Sequence, residues 1–237
     1  MQNLKIAVLT GAGVSAESGL KTYRDNGGLW DNYDPMEVAS IDGWYRNRKL
    51  VLDFYNMERR MLESARPNDA HRTIAALEDK ADVTVITQNV DNLHEMAGSS
   101  NIIHLHGEMM KMGSSRDVDN PRFHVTLPHE GFGESGLEVP HGEKAEDGSL
   151  LRPFIVFFEE NVPNMYDAAQ KAQKADIFII IGTSLNVYPA AGLVQYCRAG
   201  IPMYLIDPNA VATRANLTHI QKGASEGMKE LIEILKK

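Results

Sequence analysis

The chain has 237 residues, 43% of them hydrophobic, a formal net charge of -8 and one cysteine, Cys197. That length can bury the core of one ordinary domain with an insertion, or of two small ones, and an acidic chain without a basic block argues against nucleic-acid binding. A lone cysteine excludes an intrachain disulfide and a multi-cysteine metal site. No apolar stretch approaches the roughly 20 residues of a membrane span, and the first five residues leave no room for a signal peptide, so a cytoplasmic protein with no membrane partner is expected.

In chain order, residues 5–9 read as a strand, followed by the turn Gly11-x-Gly13-x-x-Ala16 at a helix start. Glycine permits the tight turn and close backbone approach, and a helix N-terminus supplies N–H groups for a pyrophosphate; a plain strand–helix turn uses the same residues. The acidic ribose ligand expected about 20 residues on is replaced by Gly27-Gly28-Leu29-Trp30, which argues against a hydride-transferring dehydrogenase. Thr22-Tyr23-Arg24 places an aromatic and a cation where they can cover a cofactor. Residues from about 31 to 66 carry Trp44, Tyr45, Phe54 and Tyr55 on a helical pattern and predict a small insertion over the sheet edge.

A helix over residues 69–80 and a strand over 83–87 lead into Gln88-Asn89-Val90-Asp91-Asn92-Leu93-His94. Two amides, a carboxylate and an imidazole leaving a buried strand can orient a polar cofactor and move a proton, although turns also use Asn and Asp. The next strand, 102–105, ends at His106, a candidate general base because histidine titrates near neutrality; His104 leaves the choice open on pattern alone. From about 111 to 149 the chain loses apolar periodicity and reads as a second insertion or a long, partly mobile loop. Its His124, His129 and His141 match no zinc spacing, and no metal is expected.

Strands at 154–158, 177–181 and 203–206 alternate with helices at 165–174, 190–198 and 225–236, the last opening on Ser225 as N-cap and placing Met228, Leu231, Ile232 and Leu235 on one face. Gly182-Thr183-Ser184 follows one of these strands; its hydroxyls suit ribose or phosphate oxygens, with a helix N-cap from Ser184 as the plainer alternative. Cys197 reads as a small buried filler. Near-continuous apolar strands alternating with helices predict an α/β protein. Its core would be a Rossmann-like open parallel sheet with helices on both faces, plus a smaller insertion module, and its ligand would lie at the carboxyl ends of the strands.

Five motifs in one order then resemble the sirtuin family of NAD-dependent protein deacylases. They are Gly11 to Gly19 with Tyr23-Arg24, Thr87 to His94, His104-Leu105-His106-Gly107, Arg152-Pro153, and Gly182 to Ala190. The resemblance covers most of the chain as one catalytic domain, with the helical insertion at about 31–66 and a zinc-module-like insertion at about 109–150. It implies His106 as general base beside Asn89 and Asp91, which with Gln88 line the nicotinamide-ribose pocket. Gly11, Ala12, Gly13, Ser15, Ala16, Tyr23 and Arg24 would hold the phosphates and cover the sugar. Gly182, Thr183, Ser184, Asp207, Asn209 and Ala224 would meet adenosine, Asp207 replacing a more usual Asn. Val156, Phe157 and Phe158 would pair with the acylated peptide by β-augmentation, with Glu159 where the family carries glycine.

By the same resemblance the substrate is an acylated lysine and NAD is consumed: the acyl oxygen attacks the ribose carbon bearing nicotinamide, and free lysine and O-acyl-ADP-ribose are released. The structural zinc held by two Cys-x-x-Cys pairs in sirtuins has no counterpart in Met109-Met110-Lys111-Met112-Gly113-Ser114-Ser115-Arg116. Sirtuins that remove acidic acyl groups carry Tyr-x-x-Arg; here Tyr55 is kept and Glu58 stands at the arginine position. A carboxylate there would repel an acidic acyl tail, unless Arg59, on the same helix face as i+4, takes over. Acetyl is therefore the expected acyl group and succinyl the lesser one. ADP-ribosyl transfer, NAD hydrolysis and a non-catalytic NAD-sensing module are the competing readings.

Overall fold

The computed structural model describes residues 4–20, 32–183, 185, 188–209 and 217–236. Strands β1 (Lys5–Thr10), β2 (Asp82–Thr87), β3 (Ile102–His104), β7 (Ile177–Ile181), β8 (Met203–Ile206) and β9 (Leu217–Ile220) form one six-stranded sheet in the order β3-β2-β1-β7-β8-β9. Every pairing is parallel, which is why the strands read as unbroken apolar runs. Strand order reverses between β1 and β7, and in open α/β sheets the crevice outside the strand ends at such a point takes the ligand.

Helix α1 (Ala12–Ala16) follows β1 directly, and α5 (Asp69–Ala76) and α8 (Ala224–Leu235) pack on one face of the sheet through Ile74, Met228 and Leu231 against Val8, Val85 and Ile179. The other face is covered by α7 (Met165–Lys174) and a 3-10 turn, Ala190–Gln195, through Ala168, Ala172 and Leu193. Small alanines on α7 let that helix sit close to the sheet. Between α1 and α5 lie α2 (Pro35–Val38), α3 (Ile41–Arg46) and α4 (Arg48–Ser64), each opened by a side-chain cap: Asp34, Ser40 and Asn47 accept from Met36, Gly43 and Leu50 N–H. α4 ends at Ser64, just before Arg66-Pro67, where the residue preceding proline is pushed out of the helical region. A short α6 (Leu93–Ala97) follows β2.

Residues 154–158 do not extend the parallel sheet. Strand β6 (Leu151–Ile155) pairs antiparallel with β4 (Gly107–Ser114), and β4 with β5 (Val125–Thr126), in a separate three-stranded sheet. An apolar run carries no label for which sheet it joins. Residues 111–149, read as a second insertion or a long loop, have a core of their own in which Met112, Leu127, Phe132, Leu137 and Val139, with Leu151, pack on Leu52 of α4. Ser114 ties this module together, donating to Asp147 at 2.7 Å and meeting Ser149 Oγ at 2.8 Å.

Three helix boundaries also differ from expectation. The 69–80 helix breaks into α5 and a 3-10 turn at Leu77–Asp79, and the 190–198 helix is the 3-10 turn alone. Ser225 is not the N-cap of α8: Gly223 holds that place, and the Ser225 N–H instead donates to the Glu17 carboxylate at 3.2 Å. A carboxylate at a helix N-terminus suits the macrodipole. Strand β9 lay unseen in the sequence as Leu217-Thr218-His219-Ile220, too short and too polar for an apolar run.

Candidate functional site

The turns after β1 and β7 lock together. Gly11 N–H donates to Ile181 O at 3.0 Å and Gly13 N–H to Gly182 O at 2.9 Å. A Cβ on Gly11 would lie 2.7 Å from Gly182 O, and Gly182 itself has φ +63°. The glycines thus permit the close approach of two loops, as the motif suggested, and the amides of Gly11 and Gly13 are spent on that junction.

This junction floors a cleft of about 540 Å³. Gly11, Ala12, Gly13, Ala16, Gln88, Asn89, His106, Gly182, Thr183, Asp207, Asn209 and Ala224 all line it, as do Tyr55, Val156, Phe157 and Phe158. Tyr23, Arg24 and Ser184 lie outside the described residues. The lining is largely apolar with a few convergent polar groups, as small-molecule sites are.

A chain of hydrogen bonds fixes the polar wall. Asn89 Nδ2 donates to Gly11 O and to Ser15 Oγ, both at 3.1 Å, and Ser15 Oγ donates to Asp91 Oδ2 at 2.8 Å. Asp91 Oδ1 accepts from Leu93 N–H at 3.1 Å. Burial raises the Asp91 carboxyl against these bonds, which lower it. Gln88 Nε2 donates to Thr183 Oγ1 at 3.1 Å and so bridges the ends of β2 and β7.

The two histidines part company here. His104 has both ring nitrogens engaged, Nε2 on Glu95 Oε1 at 2.6 Å and Nδ1 near Asn89 O at 3.3 Å; burial opposes its charge, but the Glu95 bond and charge outweigh burial and push its pKa up. His106 Nδ1 lies 2.9 Å from Gln88 O. A carbonyl only accepts, so Nδ1 carries the proton and Nε2 keeps its lone pair. Burial holds the His106 pKa below the ordinary histidine value. His94, the imidazole of the motif, is not in the cleft. It is buried, contacts Thr10 Oγ1 at 3.1 Å and meets His71 edge-on, and burial lowers it to about 3. It packs behind the site as a neutral ring.

Arg59 does not reach the cleft either. It is fully buried, donating from Nε to Met109 O at 3.0 Å, from one terminal nitrogen to Asn56 Oδ1 at 2.6 Å and from the other to Met112 Sδ at 2.9 Å. Its i+4 position puts it on the side of α4 that faces β4, so it joins the helical insertion to the second module and cannot grip an acyl carboxylate. Glu58, with Ser15, Asn89 and Asp91, lines a smaller adjoining cavity of about 60 Å³. Glu58, at the arginine position of Tyr-x-x-Arg, is buried there.

The 156–158 segment is held by Arg152 and Glu160. Arg152 makes two bonds to Glu160, at 2.7 and 2.8 Å, bonds Ile155 O at 2.9 Å and stacks 4.2 Å from the Phe157 ring centroid. The N–H groups of Val156, Phe157 and Phe158 are taken by His106 O, Glu160 Oε2 and Ala39 O. An added peptide strand therefore finds no run of open N–H groups there, which corrects the simple β-augmentation picture. Glu159 sits at φ +76°, the left-handed region that disfavours a side chain. Glu159→Gly is expected to raise unfolding free energy by up to about 1 kcal/mol, the relief of strain exceeding the entropy that glycine adds to the unfolded chain. A lower denaturant midpoint in that variant would contradict the strain.

Among the described residues, no three His, Cys, Asp or Glu side chains gather as a metal would need. His124 and His129 contact the backbone carbonyls of Val118 and Glu130, and His141 contacts Asp53.

The Sir2 family model matches residues 11–189. An NAD-dependent protein deacylase of Bacteroides thetaiotaomicron is 54% identical over 237 residues, covering 99% of this chain and 98% of its own length. A solved Sir2 homolog–NAD complex matches with TM-score 0.84 and 35% identity, over 98% of this chain and 89% of that one. A Sir2 bound to acetylated peptide matches with TM-score 0.80 and 29% identity, over 98% and 93%.

Proposed function

Because this chain belongs to the Sir2 family, we propose that it is an NAD-dependent protein lysine deacylase whose chemistry takes place in the cleft at the ends of β1, β2 and β7, with acetyl the foremost acyl group. The observation that carries the reading is His106, whose Nδ1 is fixed on Gln88 O and whose Nε2 keeps its lone pair in the cleft that Asn89 also lines. NAD, when bound, supplies the sugar carbon that loses nicotinamide and takes the acyl group from lysine. The residues present fit it: a glycine junction that no Cβ could enter, amide and carboxyl groups of Asn89 and Asp91 on the nicotinamide side, and Thr183, Asp207, Asn209 and Ala224 along the adenosine side.

His106 Nε2 accepts a proton as the acyl group passes to the sugar, a task that needs its neutral form. Asn89, Ser15 and Asp91, tied to one another and to Gly11, hold the nicotinamide end in one orientation. Tyr55, Phe157 and Phe158 form an apolar passage for the acyl-lysine and limit the access of water, which would otherwise capture the reactive sugar. Tyr23, Arg24 and Ser184 keep their assigned cofactor roles in this reading.

Mixing protein, NAD and an acetyl-lysine peptide tests it. Nicotinamide release that depends on peptide supports deacylation; release without peptide indicates NAD hydrolysis, label transferred to protein indicates ADP-ribosylation, and binding without release indicates a sensor. The net charge of -8 and the single cysteine support a cytoplasmic enzyme acting on proteins and not on nucleic acid, and among the described residues no helix is long and apolar enough to cross a membrane. The family's structural zinc does not fit a module without thiolates, held instead by its apolar core, by Ser114 and by Arg59. Elemental analysis is expected to find no stoichiometric zinc, and chelators to leave activity intact; about one tight zinc per chain would contradict this.

A further inference from the structure

Among the described residues the carboxylates that line the main cleft are Glu17, Glu159, Glu160 and Asp207. Three of them are engaged within the fold. Glu17 accepts from the Ser225 N–H at 3.2 Å and Asp207 from the Asn209 N–H at 2.9 Å, both toward the end assigned to adenosine. Glu160 takes two bonds from Arg152 and one from the Phe157 N–H. Glu159 is different: it is exposed, and no hydrogen bond or ion pair holds its carboxylate among the described residues. No lysine or arginine lines the cleft among those residues either, so nothing there neutralises it.

The backbone under this carboxylate is fixed. Phe158 N–H donates to Ala39 O at 2.8 Å and Ile41 N–H to Phe158 O at 3.2 Å, which ties the segment to the start of α3. Glu159 itself keeps φ +76°, where glycine would sit without strain. A side chain that strains the backbone and anchors nothing in the fold points to a role at the site. Its neighbour in sequence locates that role. Phe158 is 40% exposed and lines the cleft on the side assigned to the acyl-lysine, with its Cα about 3.8 Å from that of Glu159. An acyl-lysine running past Phe158 leaves its own backbone at the rim. In an extended peptide each residue advances about 3.3 Å, so side chains up to two positions away start within ~7 Å of the lysine. A glutamate and a long basic side chain together span that distance.

We propose that Glu159 is a specificity-determining residue that selects protein substrates carrying an arginine or lysine within two residues of the acyl-lysine. This rests on the deacylase reading above. The contact is to the peptide and not to the reacting atoms, so it is the same before and during the reaction; it lowers KM for such peptides and leaves kcat in place. An acidic residue at the same position meets a like charge on the rim.

The test measures kcat and KM on acetyl-lysine peptides that differ by one arginine, lysine, glutamine or glutamate at each position from two before the acetyl-lysine to two after it. In the native protein the best basic peptide is expected to exceed its glutamine counterpart by about two- to fivefold in kcat/KM at low salt, the range that exposed ion pairs supply, with the glutamate peptide below both. The advantage should shrink toward one near 1 M salt, where charges are screened beyond about 3 Å. Glu159→Gln keeps the shape of the side chain and should bring the ratio of basic to glutamine peptide to about one. Glu159→Lys should reverse the order in favour of glutamate. Because each ratio is taken within one variant, a change in folded fraction cancels. Equal turnover of basic and glutamine peptides by the native protein, or a basic preference that survives Glu159→Gln or 1 M salt, would overturn the inference and leave the deacylase reading standing. No turnover of any acetyl peptide would overturn both.

Discussion

Replacing His106 by alanine is expected to lower kcat/KM for deacylation by about a hundredfold or more, the usual contribution of a positioned general base, with the fold intact. The ring lies at a strand end, and its one bond among the described residues, to Gln88 O, can be taken over by water, so little stability depends on it. The pH profile carries further information. A base works when neutral, and burial holds the His106 pKa below the ordinary value near 6.5. The acidic limb of kcat/KM should therefore lie below that of an unperturbed histidine, and activity should persist as pH falls through 6.5. Retention of more than about a tenth of the native rate in His106→Ala would remove it from the mechanism, and an acidic limb above 6.5 would contradict its neutral state.

Arg59→Ala should carry the largest cost in stability. The guanidinium is fully buried and bridges α4 to β4 through Met109 O, Asn56 Oδ1 and Met112 Sδ. Asn56 in turn bonds the Val139 backbone in both directions, at 3.0 and 3.1 Å. Truncation opens a cavity the size of the lost side chain and leaves the carbonyl of Met109 and the amide of Asn56 short of a donor. A loss of about 3 kcal/mol or more is expected, or a Tm lower by roughly 6–12 °C at this chain length. Burial holds the arginine down to about 10, still far above neutral pH, so the charge is present and its neutral partners must solvate it. Arg59→Met keeps most of the volume and should recover only part of the loss. A Tm shift below about 2 °C in Arg59→Ala would mean that the second module is held by its apolar core alone.

The sheet was legible because parallel strands covered on both faces leave unbroken apolar runs, and β1, β2, β7 and β8 are such runs. β9 was not, since a short edge strand needs no such run. The second sheet was missed because β4 mixes Gly, Glu, Lys and Met, and its pairing with β6 spans residues distant in sequence. The site was legible as a set of residue types, and Gly11, Asn89, His106 and Thr183 do converge on one cleft. Spacing alone could not tell that His94 faces the core, that the Gly11 and Gly13 amides bond the turn after β7, or that Arg59 turns toward Met109. Each depends on which neighbour lies behind the residue. The i+4 spacing put Arg59 beside Tyr55 at the cleft, whereas its guanidinium lies on the side of α4 that faces β4.

The central claim is that the cleft couples NAD cleavage to removal of an acyl group from lysine. Mass spectrometry of a reaction containing the protein, NAD and an acetyl-lysine peptide tests it most directly. The account predicts nicotinamide, free-lysine peptide and O-acetyl-ADP-ribose in equal amounts, none of them formed when peptide or NAD is omitted. NAD consumed at the same rate without peptide, or lysine freed without O-acetyl-ADP-ribose, would contradict it.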